Sequence, residues 1–208
     1  MATEVGEAIE PDSERVAALD LLRGGCLPCQ NCRLGTTRKN VVYGVGSPDT
    51  PVVFVGEAPG ANEDQLGLPF VGRSGVLLDR LISEELGLTR NQIYIANIVK
   101  CRPPQNRNPL PDEVEACVPN LKAQLEVILP TLIVSLGAVA TKFLVSPGLT
   151  ITNARGKFFA TEFGTVMPMF HPAFGLRRGS TAVTAMRADL AKVKLHLVEK
   201  GAWKLQWC

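Results

Sequence analysis

The chain has 208 residues, 46% of them hydrophobic and 20% charged, with a formal net charge of +2 and a mean hydropathy of +0.12. This composition excludes a disordered chain, a collagen-like repeat and a long coiled coil. No apolar run approaches the roughly 18 residues of a membrane span. The acidic N-terminus contains no apolar segment typical of a secretory signal. We therefore expect a cytoplasmic protein that does not associate with membranes.

The predicted elements follow one another as strand, turn and helix after an acidic, flexible tail at residues 1–12. A helical pattern begins at Ser13 and ends at the Gly24-Gly25 pair. Apolar strands are predicted at 52–55, 93–99, 132–136 and 165–170, and further helices at 74–86, 111–129, 137–145 and 181–199. Such alternation indicates a parallel sheet covered on both faces. The predicted fold class is α/β, a three-layer sandwich around a mainly parallel sheet of about four strands. One domain is expected over 13–202, with a C-terminal tail at 203–208.

The cysteines point to metal ligation, because thiols in a reducing cytosol do not form stable disulfides. They are Cys26, Cys29, Cys32, Cys101, Cys117 and Cys208. Cys29 and Cys32 form a CxxC pair, whereas Cys101 and Cys117 are separated by 15 residues. Four thiolates can hold zinc or a [4Fe–4S] cluster, and the wide second spacing favours the cluster over a zinc ribbon.

Alternatives remain open for single thiols. Cys26 also forms a CxxC pair with Cys29 and could replace it as a ligand. Cys117 lies on the apolar face of a predicted helix and could be a buried structural thiol. We expect Cys208 to be a free terminal thiol.

Polar and conformationally special residues follow the predicted strands. The first strand leads into the turn Gly56-Glu57-Ala58-Pro59-Gly60, the second contains Asn97, and the last is followed by His171. Ligands of open parallel sheets bind beyond the carboxyl ends of the strands. We therefore expect these residues to meet at one edge of the sheet and to form a site.

Each candidate also has a purely structural interpretation. The Gly56–Gly60 turn matches neither GxGxxG nor the P-loop. Glu63, next to Asp64, is either catalytic or part of a charge pair at a helix start. Phe70 either belongs to the core or stacks on a planar ligand. Asn97 interrupts an apolar strand, so its amide bonds either within the protein or to a ligand that offers both a donor and an acceptor.

Two basic segments are candidates for phosphate contact, although each could be an ordinary solvated loop. The first is rigidified by prolines and contains Lys100, Arg102, Asn106 and Arg107. In the second, Leu176 with Arg177 and Arg178 could wedge an apolar side chain into a duplex while the arginines hold phosphates. Of the two histidines, His171 is the better candidate for stabilising developing negative charge, and His196 is expected to be structural.

Five ordered motifs resemble those of the family-four, iron–sulfur uracil-DNA glycosylases. They are an N-terminal CxxC, GEAPGxxED, PFVGRSG, NIVKCRPPxNRxP and HPA, and the similarity around them runs from about Cys29 to about Leu197. The resemblance implies the uracil-DNA glycosylase fold. It also implies excision of uracil from double- or single-stranded DNA by hydrolysis of the N-glycosidic bond after base flipping. One copy suffices for this chemistry, so we expect a monomer.

The resemblance also assigns roles to residues. Cys29, Cys32, Cys101 and Cys117 would hold a structural [4Fe–4S] cluster, leaving Cys26 as an extra thiol. Phe70 would stack on the flipped uracil, Asn97 would read its polar edge and His171 would face uracil O2. Leu176 or a neighbour would intercalate. The remaining substrate and catalytic positions would be Glu57, Ala58, Gly60, Glu63 and Asn106.

The residue that activates water is not fixed by the resemblance. Other branches of the superfamily carry a carboxylate where this chain has Ala58, and our hypothesis is that Glu63 takes this role. The loop between Lys100 and Arg107 contains no histidine, so covalent trapping on uracil-DNA is not expected. Two other classes of function remain alternatives, a non-catalytic DNA- or nucleotide-binding iron–sulfur or zinc protein and a redox protein that uses its cluster for electron transfer.

Overall fold

A six-stranded sheet forms the centre of the computed structural model, which describes residues 12–203. The strands are β1 (Val45–Gly46), β2 (Val52–Gly56), β3 (Tyr94–Asn97), β4 (Leu132–Leu136), β5 (Phe159–Thr161) and β6 (Gly164–Met169). Their order is β1-β3-β2-β4-β6-β5, with the four central strands parallel and both edge strands antiparallel. The predicted mainly parallel sheet is therefore confirmed. The sequence pattern missed β1 and β5, which are short and only partly buried.

Eight α-helices surround the sheet in the described part of the chain. They are α1 (Ser13–Cys26), α2 (Ala61–Leu66), α3 (Arg73–Leu86), α4 (Pro111–Ile128), α5 (Ala138–Leu144), α6 (Ile151–Ala154), α7 (Pro172–Arg178) and α8 (Ser180–Glu199). Short 3₁₀ turns occur at Arg33–Thr36, Arg90–Gln92 and Pro104–Asn106. None of the described helices has the length and apolarity of a membrane span.

The predicted end of the first helix at Gly24-Gly25 is wrong. Helix α1 continues through both glycines to Cys26, whose side chain is buried. A glycine lowers helix propensity by only about 1 kcal/mol, so burial of the following residue is enough to continue the helix.

Alternate residues of the strands supply two separate hydrophobic layers, because successive strand side chains point to opposite faces. On one face, Phe54 and Val134 pack with the leucines of α3 and the apolar side of α8. On the other face, Val53 and Ile133 pack with residues of α1, α4 and α5. Every residue of β2, β3 and β4 is buried. The three-layer arrangement therefore follows from the continuous apolar strands.

The carboxyl ends of the parallel strands lie at one edge of the sheet. Gly56 pairs with Asn97 in the register of β2 and β3, and Leu136 pairs with Met169 in that of β4 and β6. The loops that carry the predicted site residues leave from these four positions. The sheet thus positions them around a common opening.

The expected tails lie mostly outside the described residues, as does Cys208. Two of their residues are described. The side chain of Asp12 accepts a hydrogen bond from the Glu14 N–H at 2.9 Å and caps α1. Trp203 packs against the layer formed by α3 and α8.

Candidate active site

A cavity of about 650 Å³ opens at the carboxyl edge of the sheet. Ten of the predicted site residues line it, namely Glu57, Ala58, Gly60, Glu63, Phe70, Asn97, Asn106, Arg107, His171 and Arg177. The segment after β4 also contributes lining residues, from Gly137 to Val139. Sequence reasoning missed this segment because it contains no polar or aromatic side chain that would mark a site.

The amide of Asn97 carries an unsatisfied acceptor. The residue is buried at the end of β3, and its Oδ1 has no hydrogen-bond partner among the described residues. A Cβ at Gly56, on the neighbouring strand, would collide with this oxygen and lie 2.7 Å from Cζ of Phe70. Glycine at this position therefore lets the amide and the ring approach each other. A buried acceptor without a donor costs about 1–3 kcal/mol, so this oxygen suits a ligand that brings its own N–H group.

Phe70 occupies a strained backbone conformation. Its φ is +51°, in the left-handed region that a bulky residue rarely adopts. Phe70 is 5% exposed and lines the cavity, and its ring stacks against the imidazole of His171 with centroids 5.6 Å apart. Backbone strain of this kind persists only where the surrounding structure enforces it.

His171 is held as a neutral hydrogen-bond donor. Its Nδ1 accepts the backbone N–H of Ala173 at 3.1 Å, at the start of α7, so the neutral ring carries its proton on Nε2. Burial and, to a smaller extent, the cation of Arg177 lower the pKa of this imidazole to about 4, although the carboxylate of Glu63 opposes both effects. At neutral pH the cavity therefore contains an uncharged imidazole with an Nε2–H group.

The two glutamates have different surroundings. Glu63 is 9% exposed, and its Oε1 accepts the backbone N–H groups of Val71 at 3.0 Å and Gly72 at 2.9 Å. Burial raises the pKa of the Glu57 carboxyl above its usual value. Asp64 does not line the cavity and its Oδ1 accepts the backbone N–H groups of Lys39 and Asn40, which gives it a structural role.

A second cavity is lined by five cysteines, namely Cys26, Cys29, Cys32, Cys101 and Cys117. Cys117 Sγ accepts the backbone N–H of Lys100 at 3.2 Å, and the Arg38 guanidinium lies 3.7 Å from Cys101 Sγ. Burial raises the pKa of Cys26 to about 11 and that of Cys101 to about 12, so these thiols would be protonated until a metal displaces the protons.

The donor chemistry of this second cavity fits a thiolate-held metal centre. In residues 12–203, no three Cys, His, Asp or Glu side chains converge closely enough to hold a single metal ion. The thiols instead surround a shared space. Positive groups beside Cys101 and Cys117 would stabilise their thiolate forms.

Comparison with known proteins identifies the family. The family model for the uracil DNA glycosylase superfamily matches residues 43–193. A type-4 uracil-DNA glycosylase of Thermotoga maritima is 46% identical over 176 residues, which cover 83% of this chain and 91% of the relative. One of Saccharolobus solfataricus is 43% identical over 190 residues, which cover 88% of each chain. The chain belongs to the type-4 uracil-DNA glycosylases.

A type-5 enzyme is a more distant relative. The type-5 uracil-DNA glycosylase of Thermus thermophilus is 31% identical over 120 residues, which cover 50% of this chain and 54% of the relative. The resemblance to the family-four uracil-DNA glycosylases is therefore confirmed.

The prediction that Lys100 contacts DNA is wrong. This lysine is 1% exposed, and its Nζ donates to the Asn97 carbonyl at 2.8 Å and to Gln124 Oε1 at 2.5 Å. The side chain therefore bonds inside the protein and supports the strand end that carries Asn97. Its position directly after an apolar strand was the signal for burial.

The other basic segments differ in how far their side chains are bonded within the protein. Both terminal nitrogens of Arg107 donate to the fully buried carboxylate of Glu113, at 2.8 and 2.6 Å. Arg102 Nε donates to Asn106 Oδ1 at 2.8 Å. The segment from 174 to 178, expected to be a loop, is instead the end of α7, where Leu176 is 43% exposed and Arg178 lies over the ring of Phe174.

Proposed function

We propose that this protein excises uracil from DNA by hydrolysing the N-glycosidic bond and leaving an abasic site. The observation that carries the proposal is the unsatisfied, buried Oδ1 of Asn97 beside the ring of Phe70. Uracil offers an N3–H donor to such an oxygen and an O4 acceptor to the amide nitrogen. The chain belongs to the type-4 glycosylases, and its relatives are named uracil-DNA glycosylases, which supports the same substrate.

The target nucleotide must leave the duplex to enter the cavity. Extrusion costs a few kcal/mol and least for a mismatched or single-stranded base. The cavity of about 650 Å³ has room for a pyrimidine, and the Phe70 ring offers a stacking surface worth about 1–3 kcal/mol per base. Binding inside the protein thereby offsets the loss of stacking in DNA.

The neutral imidazole of His171 supplies the main leaving-group stabilisation. As the glycosidic bond breaks, negative charge develops on uracil O2, and the Nε2–H group can donate to it without giving up its proton. Backbone N–H groups of the Gly56–Gly60 turn can add to this stabilisation. Removing one such fixed donor costs about 10²- to 10³-fold in rate in enzymes that stabilise an oxyanion.

Carboxylates stabilise the other half of the transition state. The sugar gains oxocarbenium character, which the negative charge of Glu57 or Glu63 can offset. Oε1 of Glu63 is occupied by two backbone N–H groups, which leaves Oε2 to orient the attacking water. Glu63→Gln keeps an oxygen for both backbone bonds but removes the charge. We expect a single-turnover rate at least tenfold lower, and full activity in a folded E63Q protein would contradict this role.

We include in the proposal a structural [4Fe–4S] cluster held by Cys29, Cys32, Cys101 and Cys117. Five thiols around one shared cavity support a thiolate-held centre, and the wide spacing between Cys101 and Cys117 favours a cluster over a zinc ribbon. When bound, the cluster would supply a covalent link between the N-terminal loop and the segment from Cys101 to Cys117. No step of the excision uses it.

The DNA would lie over the opening of the cavity. Arg102, Arg177 and Arg178 are the cations that we expect near phosphates, and Leu176 is the exposed apolar side chain that could fill the space of the flipped nucleotide. A single chain contains every group used here, so a monomer suffices. Activity on DNA agrees with the expected cytoplasmic, DNA-associated location.

The test is an end-labelled oligonucleotide with one uracil, incubated with the protein and then treated with alkali. We expect strand scission at the uracil and none in a matched oligonucleotide with thymine. Binding of both DNAs without scission would instead support a non-catalytic DNA-binding protein and overturn the proposal.

A further inference from the structure

The segment that carries Phe70 is held from outside by two side chains. Glu63 accepts the N–H groups of Val71 and Gly72, whereas Arg90 donates to the carbonyls of Pro69 and Phe70, the latter at 3.1 Å. Four successive residues are thus fixed by hydrogen bonds that do not belong to any helix or strand. Phe70, with its strained positive φ, lies within this segment.

Arg90 is itself fixed at both ends. Its backbone lies in the 3₁₀ turn directly before β3, the strand that ends in Asn97. Its Nη1 also donates to both carboxylate oxygens of Asp79 on α3, at 2.9 and 3.2 Å. The guanidinium is planar and presents several donors in a fixed geometry, so it can bond two carbonyls and a carboxylate together.

Close packing confines the Phe70 carbonyl on the side that faces α3. A Cβ at Gly75, in the first turn of α3, would collide with the carbonyl oxygen and carbon of Phe70. The carbonyl is therefore trapped between α3 and the Arg90 guanidinium. Loss of the guanidinium would leave this carbonyl without its donor and would allow Phe70 to relax from its left-handed conformation.

We propose that Arg90, oriented by Asp79, is a positioning residue that holds the Phe70 ring in place for stacking on the flipped base. This inference rests on the proposed function, since it assigns the purpose of the strained ring to uracil binding. Arg90 does not contact the base, and it acts through Phe70 alone.

The test is a double-mutant cycle between Arg90→Met and Phe70→Ala. We expect R90M to lower the single-turnover excision rate and to weaken inhibition by free uracil, each by roughly 5- to 100-fold, the range that base stacking provides. In the F70A background the same Arg90 substitution should change neither value by more than about twofold, because residues that act as one unit are not additive. Arg90→Lys should recover part of the loss, since one ammonium can donate to a single carbonyl.

A matched control separates positioning from general stability. Arg187 also pairs with carboxylates of α3, Glu84 and Glu85, but it lies on the surface and does not contact the Phe70 segment. We expect R187M to keep normal excision and normal inhibition by uracil. The melting temperature of R90M should lie within a few degrees of that of R187M. Independent, additive losses from R90M and F70A in an active enzyme would overturn the positioning role alone. Failure of the wild-type protein to excise uracil would overturn the proposed function and this inference with it.

Discussion

Asn97, Phe70 and His171 come from three separate strand ends or loops, and each contributes a different interaction to the proposed uracil site. Asn97 provides a buried acceptor, Phe70 a stacking surface and His171 a neutral donor. Their chemistry differs enough that single substitutions should produce separable defects.

Substitution of Asn97 by aspartate replaces the amide donor with a second acceptor at constant volume. A carboxylate oxygen would then face the O4 acceptor of uracil with no hydrogen between them, so we expect uracil excision to fall by about 10- to 100-fold or more, the cost of burying a charged group without a partner. Single-turnover kinetics on a U·G duplex measures this. Asn153→Asp on the exposed surface of α6 is the control, and unchanged kinetics of N97D would exclude the reading role.

The depressed pKa of His171, about 4, predicts an unusual titration. Because the folded pKa is lower than the unfolded one, the unfolded chain binds a proton below about pH 6.5 that the folded chain does not. Stability should therefore fall as the pH drops from about 6.5 toward 4, and the loss should be smaller in His171→Gln. The imidazole carbon-bound protons followed by NMR give the midpoint directly, with His196→Gln used for assignment. A midpoint for His171 near 6.5 would contradict the neutral-donor role.

For single residues, the sequence predicted which side chains belong to the site better than it predicted whether each one is buried or exposed. Asn97 and His171 stood out because polar residues interrupt or directly follow apolar strands. Lys100 was assigned to DNA because it belongs to a basic motif, but its aliphatic stem and ammonium are buried and bonded to Asn97 and Gln124. A charged residue in a basic motif is not necessarily exposed. Whether Lys100 is exposed depends on the packing of β3 on α4.

Helix α4 connects the two cavities. Its buried Glu113 pairs with Arg107 of the active-site cavity and caps the helix by accepting the Leu110 N–H at 2.8 Å. One turn later, Cys117 lines the cysteine cavity. The position of the basic loop is therefore tied to the same helix that carries a predicted cluster ligand.

Loss of this carboxylate should destabilise the protein. We expect Glu113→Gln to lower the free energy of unfolding by about 2 kcal/mol, because Arg107 loses a buried partner and the helix start a strong acceptor. Urea denaturation followed by circular dichroism measures the change. Glu115→Gln, on the exposed side of the same turn, should change it by less than about 0.5 kcal/mol. Equal free energies of unfolding for the two variants would mean that the pair of Arg107 and Glu113 contributes nothing to stability.

The elements that sequence reasoning predicted are those with long apolar patterns. The four central strands and helices α3, α4 and α8 are close to their expected bounds because both faces of the sheet need continuous apolar residues. The predicted strand at 93–99 is shorter, since only Tyr94–Asn97 pairs along the sheet. Helix α7 was missed because Pro172 and Gly175 are typical of loops, although proline suits a first helical turn.

At the scale of the whole fold, residues 12–203 form two centres of reactive side chains that come from distant parts of the chain. The cysteine cavity joins the segment from Cys26 to Cys32 with Cys101 and Cys117. The parallel-sheet rule predicted that the substrate residues would meet at one edge, whereas no local pattern could show which of the two CxxC pairs supplies ligands. That choice depends on how α1 packs on α4.

Substitution of single cysteines tests the proposed ligand set. We expect Cys29→Ser and Cys117→Ser to lose iron and visible absorption, and Cys26→Ser to keep both, because only four thiolates are needed for one cluster. Iron per chain after anaerobic purification is the measurement. Loss of iron in C26S with retention in C29S would show that Cys26 replaces Cys29, and zinc in place of iron would exclude the cluster.

The central claim is that one cavity holds an everted uracil between the Asn97 amide, the Phe70 ring and the His171 imidazole. The most direct test is a crystal structure of the protein with free uracil. We expect the base to stack on Phe70, with N3 about 3 Å from Asn97 Oδ1 and O2 about 3 Å from His171 Nε2. Uracil bound elsewhere, or an Asn97 Oδ1 that bonds within the protein while the base lies in the cavity, would contradict the account.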